Sequence, residues 1–199
     1  MRGAVLEESK NDLRRVFLSR RKTHAPAECR AWSRAIQAQA IRLPQYLSAE
    51  AVALYSPIEN EVETAAIAAD ARERKKRIFY PKIRGEKEPV FHEVASPREL
   101  RAGRFNILEP AAGAPMPRAA LQNSIVFVPG VAFDPHGHRI GRGGGWYDRL
   151  LGQLAEGAVF VGLAFEFQLV EKLTVERWDQ GVHWIITEKR IIGCEPSRL

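Results

Sequence analysis

Apolar positions along the chain fall into two rhythms. One is the short unbroken run: residues 51–55, 77–81, 124–128 and 158–164 have the length and the β-branched or aromatic content of buried strands. The other is a spacing of three and four. Leu6, Leu13, Val16 and Phe17 predict an amphipathic helix over 7–22. Trp32, Ile36 and Ala40 form the core stripe of a second helix, opened by Pro26 and ended by Pro44. A third helix covers 65–74, and 150–154 suit a fourth. Weaker signals predict a strand at 89–94, one helical turn at 97–100, a helical or irregular stretch at 165–173, and closing strands at 182–187 and 191–192. Residues 103–117, rich in Gly, Pro and Ala, read as an extended connection packed across a site. Strands alternating with helices predict an α/β fold, a three-layer α/β/α arrangement around a mainly parallel sheet. The length suits one core, so 1–199 is read as a single domain.

Charge adds a partner class. Thirty basic against 24 acidic residues leave a net charge of +6, which suits a polyanionic ligand. The basic residues are spread along the chain, with short groups at Arg14-Arg15, Arg20-Arg21-Lys22 and 72–77. Zinc-finger spacing, an RNA-binding aromatic motif and a basic tail are all missing, so a nucleic-acid partner is not expected. Cys29 and Cys194 lack a Cys-x-x-Cys partner, as expected in a reducing compartment. No apolar run approaches the roughly 20 residues of a membrane span, and the first residues lack the apolar segment of a secretory signal. The expected location is the cytoplasm, without a membrane partner.

The stretch 129–149 carries the candidate chemistry. Glycines at 137, 141, 143, 144 and 145 interleave with Arg139, Arg142 and Arg149, between a predicted strand and a predicted helix. Glycines let main-chain N–H groups approach a ligand, and arginines add forked donors suited to phosphate. The pattern is neither a Walker loop, since no Lys-Ser or Lys-Thr follows the glycines, nor a dinucleotide fingerprint, since Trp146 breaks it. A flexible glycine-rich turn is the plainer alternative. Trp146, Tyr147 and Asp148, set directly after the glycines, count against it. Glu59, Glu61 and Glu63 precede the third helix, either as partners of its dipole or as ligand groups beyond a strand's C-terminal end. Lys10 and Arg14 share a helix face and, on spacing alone, read as solvated surface.

Taken together, these residues resemble the 5-formyltetrahydrofolate cyclo-ligase family, also called methenyltetrahydrofolate synthetases. The likeness is strongest at Val128-Pro129-Gly130-Val131-Ala132-Phe133-Asp134, Gly137 and the run from Arg139 to Arg149. It extends to Lys10, Leu13 and Arg14; to Tyr55, Glu61 and Thr64; to Phe105-Asn106-Ile107 with Glu109-Pro110; and to Trp178-Asp179 with Ile185-Ile186-Thr187-Glu188. The resemblance implies ATP- and Mg²⁺-dependent conversion of 5-formyltetrahydrofolate to 5,10-methenyltetrahydrofolate through a phosphorylated formyl group. It also implies a fold of the NagB/ribose-5-phosphate isomerase/CoA-transferase-like group.

Residue by residue, the resemblance gives ATP contacts to Lys10, Arg14, Arg139, Ile140, Gly141, Arg142, Gly143, Gly144, Gly145, Trp146 and Tyr147. Folate contacts fall to Ile58, Glu61, Phe105, Arg142, Gly143, Gly144, Gly145 and Trp146. Asp148 and Asp179 take the Mg²⁺ positions, and Arg142 and Tyr147 the chemical step. The substrate is 5-formyltetrahydrofolate, possibly polyglutamylated, and the protein is expected to be a monomer or weak oligomer. Two positions depart from the family pattern. Trp146 stands where tyrosine is usual, and His183 stands where an acid is frequent and reads as a buried strand histidine. His136 and His138 read as loop-surface residues. Two rival readings stay open at this point. One is an ATP-independent sugar-phosphate or CoA-thioester enzyme of the same fold, the other a non-catalytic folate- or nucleotide-binding module. The paired aspartates and the intact loop count against both.

Overall fold

The computed structural model describes residues 9–84, 88–103, 106–154 and 157–194. Its centre is a seven-stranded sheet. In chain order the strands are β1 (Ala51–Ala53), β2 (Arg77–Arg84), β3 (Glu88–Glu93), β6 (Ser124–Val128), β9 (Ala158–Leu163), β10 (Trp184–Ile186) and β11 (Ile191–Gly193). Across the sheet the order is β11-β10-β9-β6-β1-β2-β3. The five inner strands are parallel, and β3 and β11 add antiparallel edges.

Helices cover both faces, which is why the inner strands read as continuous apolar runs. Val52, Leu54, Ile78, Ile125, Phe127, Val161 and Ile186 pack in one buried cluster. With them lie Ile36 and Ala40 of α2 (Pro26–Ala40), Tyr46 of α3 (Pro44–Ser48), and Ile67 and Ala71 of α4 (Ala65–Glu73). The alternate positions Ala51, Ala53, Phe79, Val126, Val128 and Phe160 pack in a second cluster, with Leu150 and Leu151 of α6 (Trp146–Gly152). Each such aliphatic or aromatic side chain contributes about 1.5–3 kcal/mol when fully buried.

The remaining elements are peripheral. α1 (Lys10–Thr23) is capped by Ser9, whose hydroxyl accepts from the Asp12 N–H. β4 (Leu100–Ala102) pairs with β5 (Leu108–Pro110), and α5 spans Arg118–Leu121. The glycine-rich stretch is more structured than its composition predicts. It contains a hairpin of β7 (Ala132–Phe133) and β8 (Arg139–Ile140), and α6 begins at Trp146 rather than at 150. Asp134, fully buried, holds the hairpin tip by accepting from the N–H groups of His136, His138 and Leu173. Its other partner is the His138 ring, 2.9 Å away, so His138 is a structural loop residue.

Other differences are local. Pro44 ends one helix and also opens the short α3. Trp32 is only partly buried, against the first cluster. The residues at 97–99 form a single 3₁₀ turn, as do those at 166–168. Both cysteines are free and buried. Among the described residues no helix is long and apolar enough to cross a membrane.

The topology fixes where a ligand can sit. From β1 the chain builds outward to β2 on one side, then returns to place β6 on the other. The C-terminal ends of β1 and β6 are thus the switch point, where open α/β sheets leave a crevice. Residues 54–64 leave the first strand there and 129–145 the second.

Candidate active site

Two loops and one helix meet over that crevice. After β1 the backbone turns sharply, with Glu59 and Asn60 both at positive φ (45° and 59°), a conformation costly for residues other than glycine. The turn folds Glu61 back so that its Oε2 accepts from the Ile58 N–H at 3.2 Å. The predicted folate-side pair is therefore brought together. After β6 comes the hairpin and then the glycine run, in which Gly143 (φ 101°) and Gly145 (φ 61°) need the left-handed region. α6, which follows, has only seven residues, so the anion-attracting character rests on basic side chains more than on a helix terminus.

Those basic side chains converge from three elements. On α1, Arg14 Nε donates to the Gly141 carbonyl at 2.7 Å, and its guanidinium also bonds Asn11. One turn earlier, Lys10 Nζ lies 2.5 Å from Asp179 Oδ2 and 3.5 Å from Glu176 Oε2. The solvated-surface reading of this pair is overturned: α1 is docked by it onto both walls of the site. Arg139, on β8, is buried and reaches Asp148 at 2.6 Å. Burial lowers its pKa, opposed by Asp148, then Tyr147 and Asp179, while its Nε has no hydrogen-bond partner among the described residues. Arg142, an exposed residue, bridges the loops, with Nε 3.2 Å from Glu61 Oε1 and Nη1 2.9 Å from Glu59 Oε2. Burial lowers its pKa, but Glu61 and Glu59 outweigh that and raise it. Glu59 in turn is held below the usual carboxylate range by its bond to Arg142.

The aromatic residues after the glycines take different places. Trp146 is half-buried, with the Arg149 guanidinium 5.5 Å from its ring, and Arg149 also donates to the Gly144 carbonyl. Among the described residues the buried Tyr147 hydroxyl has no hydrogen-bond partner. Burial, with Glu61 adding, pushes that phenol well above its ordinary pKa, so it stays protonated. Ile140 packs its side chain in an apolar cluster with Phe17 and Leu173, and its carbonyl accepts from the Val131 N–H at 2.7 Å. Phe105 lies outside the described residues.

Asp148 and Asp179 are neighbours through the backbone, since the Gln180 N–H donates to Asp148 Oδ1 at 3.2 Å. Asp179 also accepts from the Glu176 N–H. Among the described residues no group of three His, Cys, Asp or Glu side chains forms a ready metal cage. Two hard carboxylates beside Lys10 and Arg139 do fit a Mg²⁺ that arrives with phosphate oxygens and keeps its waters. His183 is not among them. Its Nδ1 accepts from the Phe160 N–H at 2.8 Å and partial burial lowers its pKa; it is half-buried and stands just before β10 rather than in a strand, so the expected buried strand histidine is only partly met.

One site residue escaped the sequence reading. Arg21, 1 % exposed, lies under the crevice with Nη2 donating to the Gly130 carbonyl at 2.7 Å and Nη1 3.4 Å from Glu61 Oε1. It sat in the run Arg20-Arg21-Lys22, noted only as a short basic group. Yet Lys10, Arg14, Phe17 and Arg21 are spaced four, three and four, a single face of α1. That spacing was the available signal.

Fold and site together define an α/β protein whose switch-point crevice sets a basic, aspartate-bearing loop against a carboxylate turn. The model of the 5-formyltetrahydrofolate cyclo-ligase family matches residues 6–188, and the chain belongs to that family. Among curated relatives, the 5-formyltetrahydrofolate cyclo-ligase of Haemophilus influenzae is 31% identical over 143 residues, covering 70% of this chain and 76% of that one. The Escherichia coli K12 protein of the same name is 27% identical, covering 88% and 98%. The solved structure of Aquifex aeolicus 5,10-methenyltetrahydrofolate synthetase is similar at a TM-score of 0.82 and 34% identity, covering 96% and 95%.

Proposed function

We propose that the protein converts 5-formyltetrahydrofolate and ATP to 5,10-methenyltetrahydrofolate, ADP and phosphate, the whole chain acting as one domain. The observation that carries this reading is the contact of Arg142 with Glu61 and Glu59, which joins the glycine loop to the carboxylate turn at hydrogen-bond distance. Two ligands placed on those loops would meet.

The chemistry follows from what a formamide lacks. Its oxygen is a poor leaving group, so it first attacks the γ-phosphorus and displaces ADP. N10 then attacks the activated carbon, loses its proton, and the former formyl oxygen departs on phosphate. Such transfers need positioning and charge neutralisation more than a protein nucleophile. Lys10, Arg14, Arg139 and Arg142 supply fixed charge around the loop. Glu61 can accept from the N–H-rich edge of a pterin, Ile58 lines it, and Trp146 offers a stacking face. The Tyr147 phenol can donate a proton-retaining hydrogen bond to a developing oxyanion. Asp148 and Asp179 would hold Mg²⁺, which neutralises charge on the phosphates when bound. The protein is proposed to work in the cytoplasm as a monomer or weak oligomer, without nucleic acid, and its two buried free cysteines support a reducing setting.

The test mixes purified protein with 5-formyltetrahydrofolate, ATP and Mg²⁺ and follows methenyltetrahydrofolate by absorbance. A rise that needs both ATP and metal is expected. Turnover without ATP, or ligand-induced stabilisation with no ADP formed, would replace the reading with one of the two rivals.

A further inference from the structure

A charged side chain sits beneath the site with no place in the chemistry just described. Arg21 is 1 % exposed, and a buried guanidinium carries a large desolvation cost unless something compensates it. Anchoring the loop does not account for it. The Gly130 carbonyl that Arg21 meets also accepts from Gln168 Nε2 at 2.9 Å, and the same amide holds the Val131 carbonyl. The glycine loop therefore keeps a buried anchor without Arg21.

The distinctive partner is Glu61. Arg21 Nη1 and Arg142 Nε approach the same oxygen, Oε1, at 3.4 and 3.2 Å, from below and from the loop. Oε2 is taken by the Ile58 N–H. The other groups facing this carboxylate are Glu59 from its own turn and the phenols of Tyr55 and Tyr147. Tyr55 is committed to the Val62 carbonyl. Of the two cations, Arg142 lies exposed on the glycine loop, whereas Arg21 is buried beneath it.

We propose that Arg21 is a positioning residue for the folate: it is the fixed partner that keeps the Glu61 carboxylate aimed when Arg142 turns to the nucleotide. This rests on the reading of Glu61 as the folate carboxylate. Arg21 touches neither substrate, so its effect reaches the folate only through Glu61.

The test compares steady-state kinetics of wild type, Arg21→Met, Arg21→Lys, Glu61→Gln and the Arg21→Met/Glu61→Gln double variant, each first checked by thermal unfolding. Arg21→Met should raise the KM for 5-formyltetrahydrofolate about tenfold or more, the worth of one charge-assisted hydrogen bond, with the ATP KM within about twofold. Arg21→Lys should recover part of that loss, since it restores charge without the fork. In the Glu61→Gln background, Arg21→Met should change the folate KM less than about twofold. Equal rises in both KM values, no rise, or independent multiplication in the double variant would reduce Arg21 to a structural residue. If Arg21→Met does not fold, Arg21→Lys decides alone, a selective rise in folate KM supporting the role and an unchanged KM overturning it. Wild-type turnover that fails to need folate and ATP would sink the underlying reading instead, so the two failures are distinct.

Discussion

Lys10 Nζ meets Asp179 Oδ2 at 2.5 Å, joining the first turn of α1 to a loop 169 positions further on. The two side chains remain about a fifth to a quarter exposed, at 24% and 19%. An ion pair so open adds little to stability, about 0–1 kcal/mol. Its value lies in what it holds ready. On the proposed reading, Lys10 would give up this carboxylate to Mg²⁺ and take a phosphate in its place, each partner gaining an opposite charge. Asp179→Asn should therefore leave the melting temperature within a few degrees of wild type. It should lower kcat/KM for MgATP by about tenfold to a hundredfold, partly recovered at high Mg²⁺. A Mg²⁺ titration of both proteins checks this, and identical curves would take Asp179 out of the metal site.

Arg142 is the residue on which both halves of the site depend. Arg142→Ala removes the cation facing Glu59 and Glu61 and a candidate contact to the transferred phosphoryl group. The ATP KM should rise or kcat should fall, by about a hundredfold in kcat/KM. Arg142→Lys should recover little, because a point charge cannot serve two carboxylates and a phosphate with one rigid fork. Kinetics near wild type for either variant would remove Arg142 from the reaction.

His183 gives a pH dependence of stability. Its folded pKa is depressed by burial, and its Nδ1 must stay unprotonated to accept the Phe160 N–H. The stabilisation is thus complete above the ordinary histidine value of about 6.5 and is lost as pH falls through the lower folded value. Melting curves between about pH 7.5 and 5 should show wild type losing stability more steeply than His183→Asn, whose amide oxygen can still accept. Parallel slopes would mean that another group governs the acid limb.

Much of the architecture was legible because both sheet faces are covered. Ser124 to Val128 read as a buried strand and is one from end to end, and the Pro26 and Ala65 helices begin where their sequences say. The β7–β8 hairpin was not legible, since it spans only two residues a side and is held by Asp134 from the middle of the loop. Composition there shows glycine and charge, and the buried acid is invisible until the tertiary contacts to Leu173 exist. Candidate site residues that are local in sequence, Arg139 to Asp148, were proposed from the motif, and the structure gathers them on β8, the glycine loop and the start of α6. Lys10, Arg14 and Arg21 lie far away in the chain, and spacing alone left the first two as surface and the third unnoticed. What decides their roles is the docking of α1 by Arg14 on Gly141, a contact across 127 positions.

The buried phenol of Tyr147 separates stability from catalysis. A buried hydroxyl with no partner is a liability in the resting protein, costing about 1–3 kcal/mol relative to a satisfied one. Removing it should therefore leave Tyr147→Phe as stable as wild type or slightly more so. The ring would keep its place, with the Arg139 guanidinium 5.8 Å from its centre. The same hydroxyl stays protonated in the ligand-free protein, because burial and then Glu61 oppose its ionisation. On the proposed reading it is a donor whose acceptor a ligand would supply. Tyr147→Phe should lose about tenfold to a hundredfold in kcat with the folate KM little changed, the pattern of a bond made mainly in the transition state. Unfolding and kinetics measured on one preparation decide the matter. A melting temperature that falls while kcat holds would make the hydroxyl a structural group with an unseen partner.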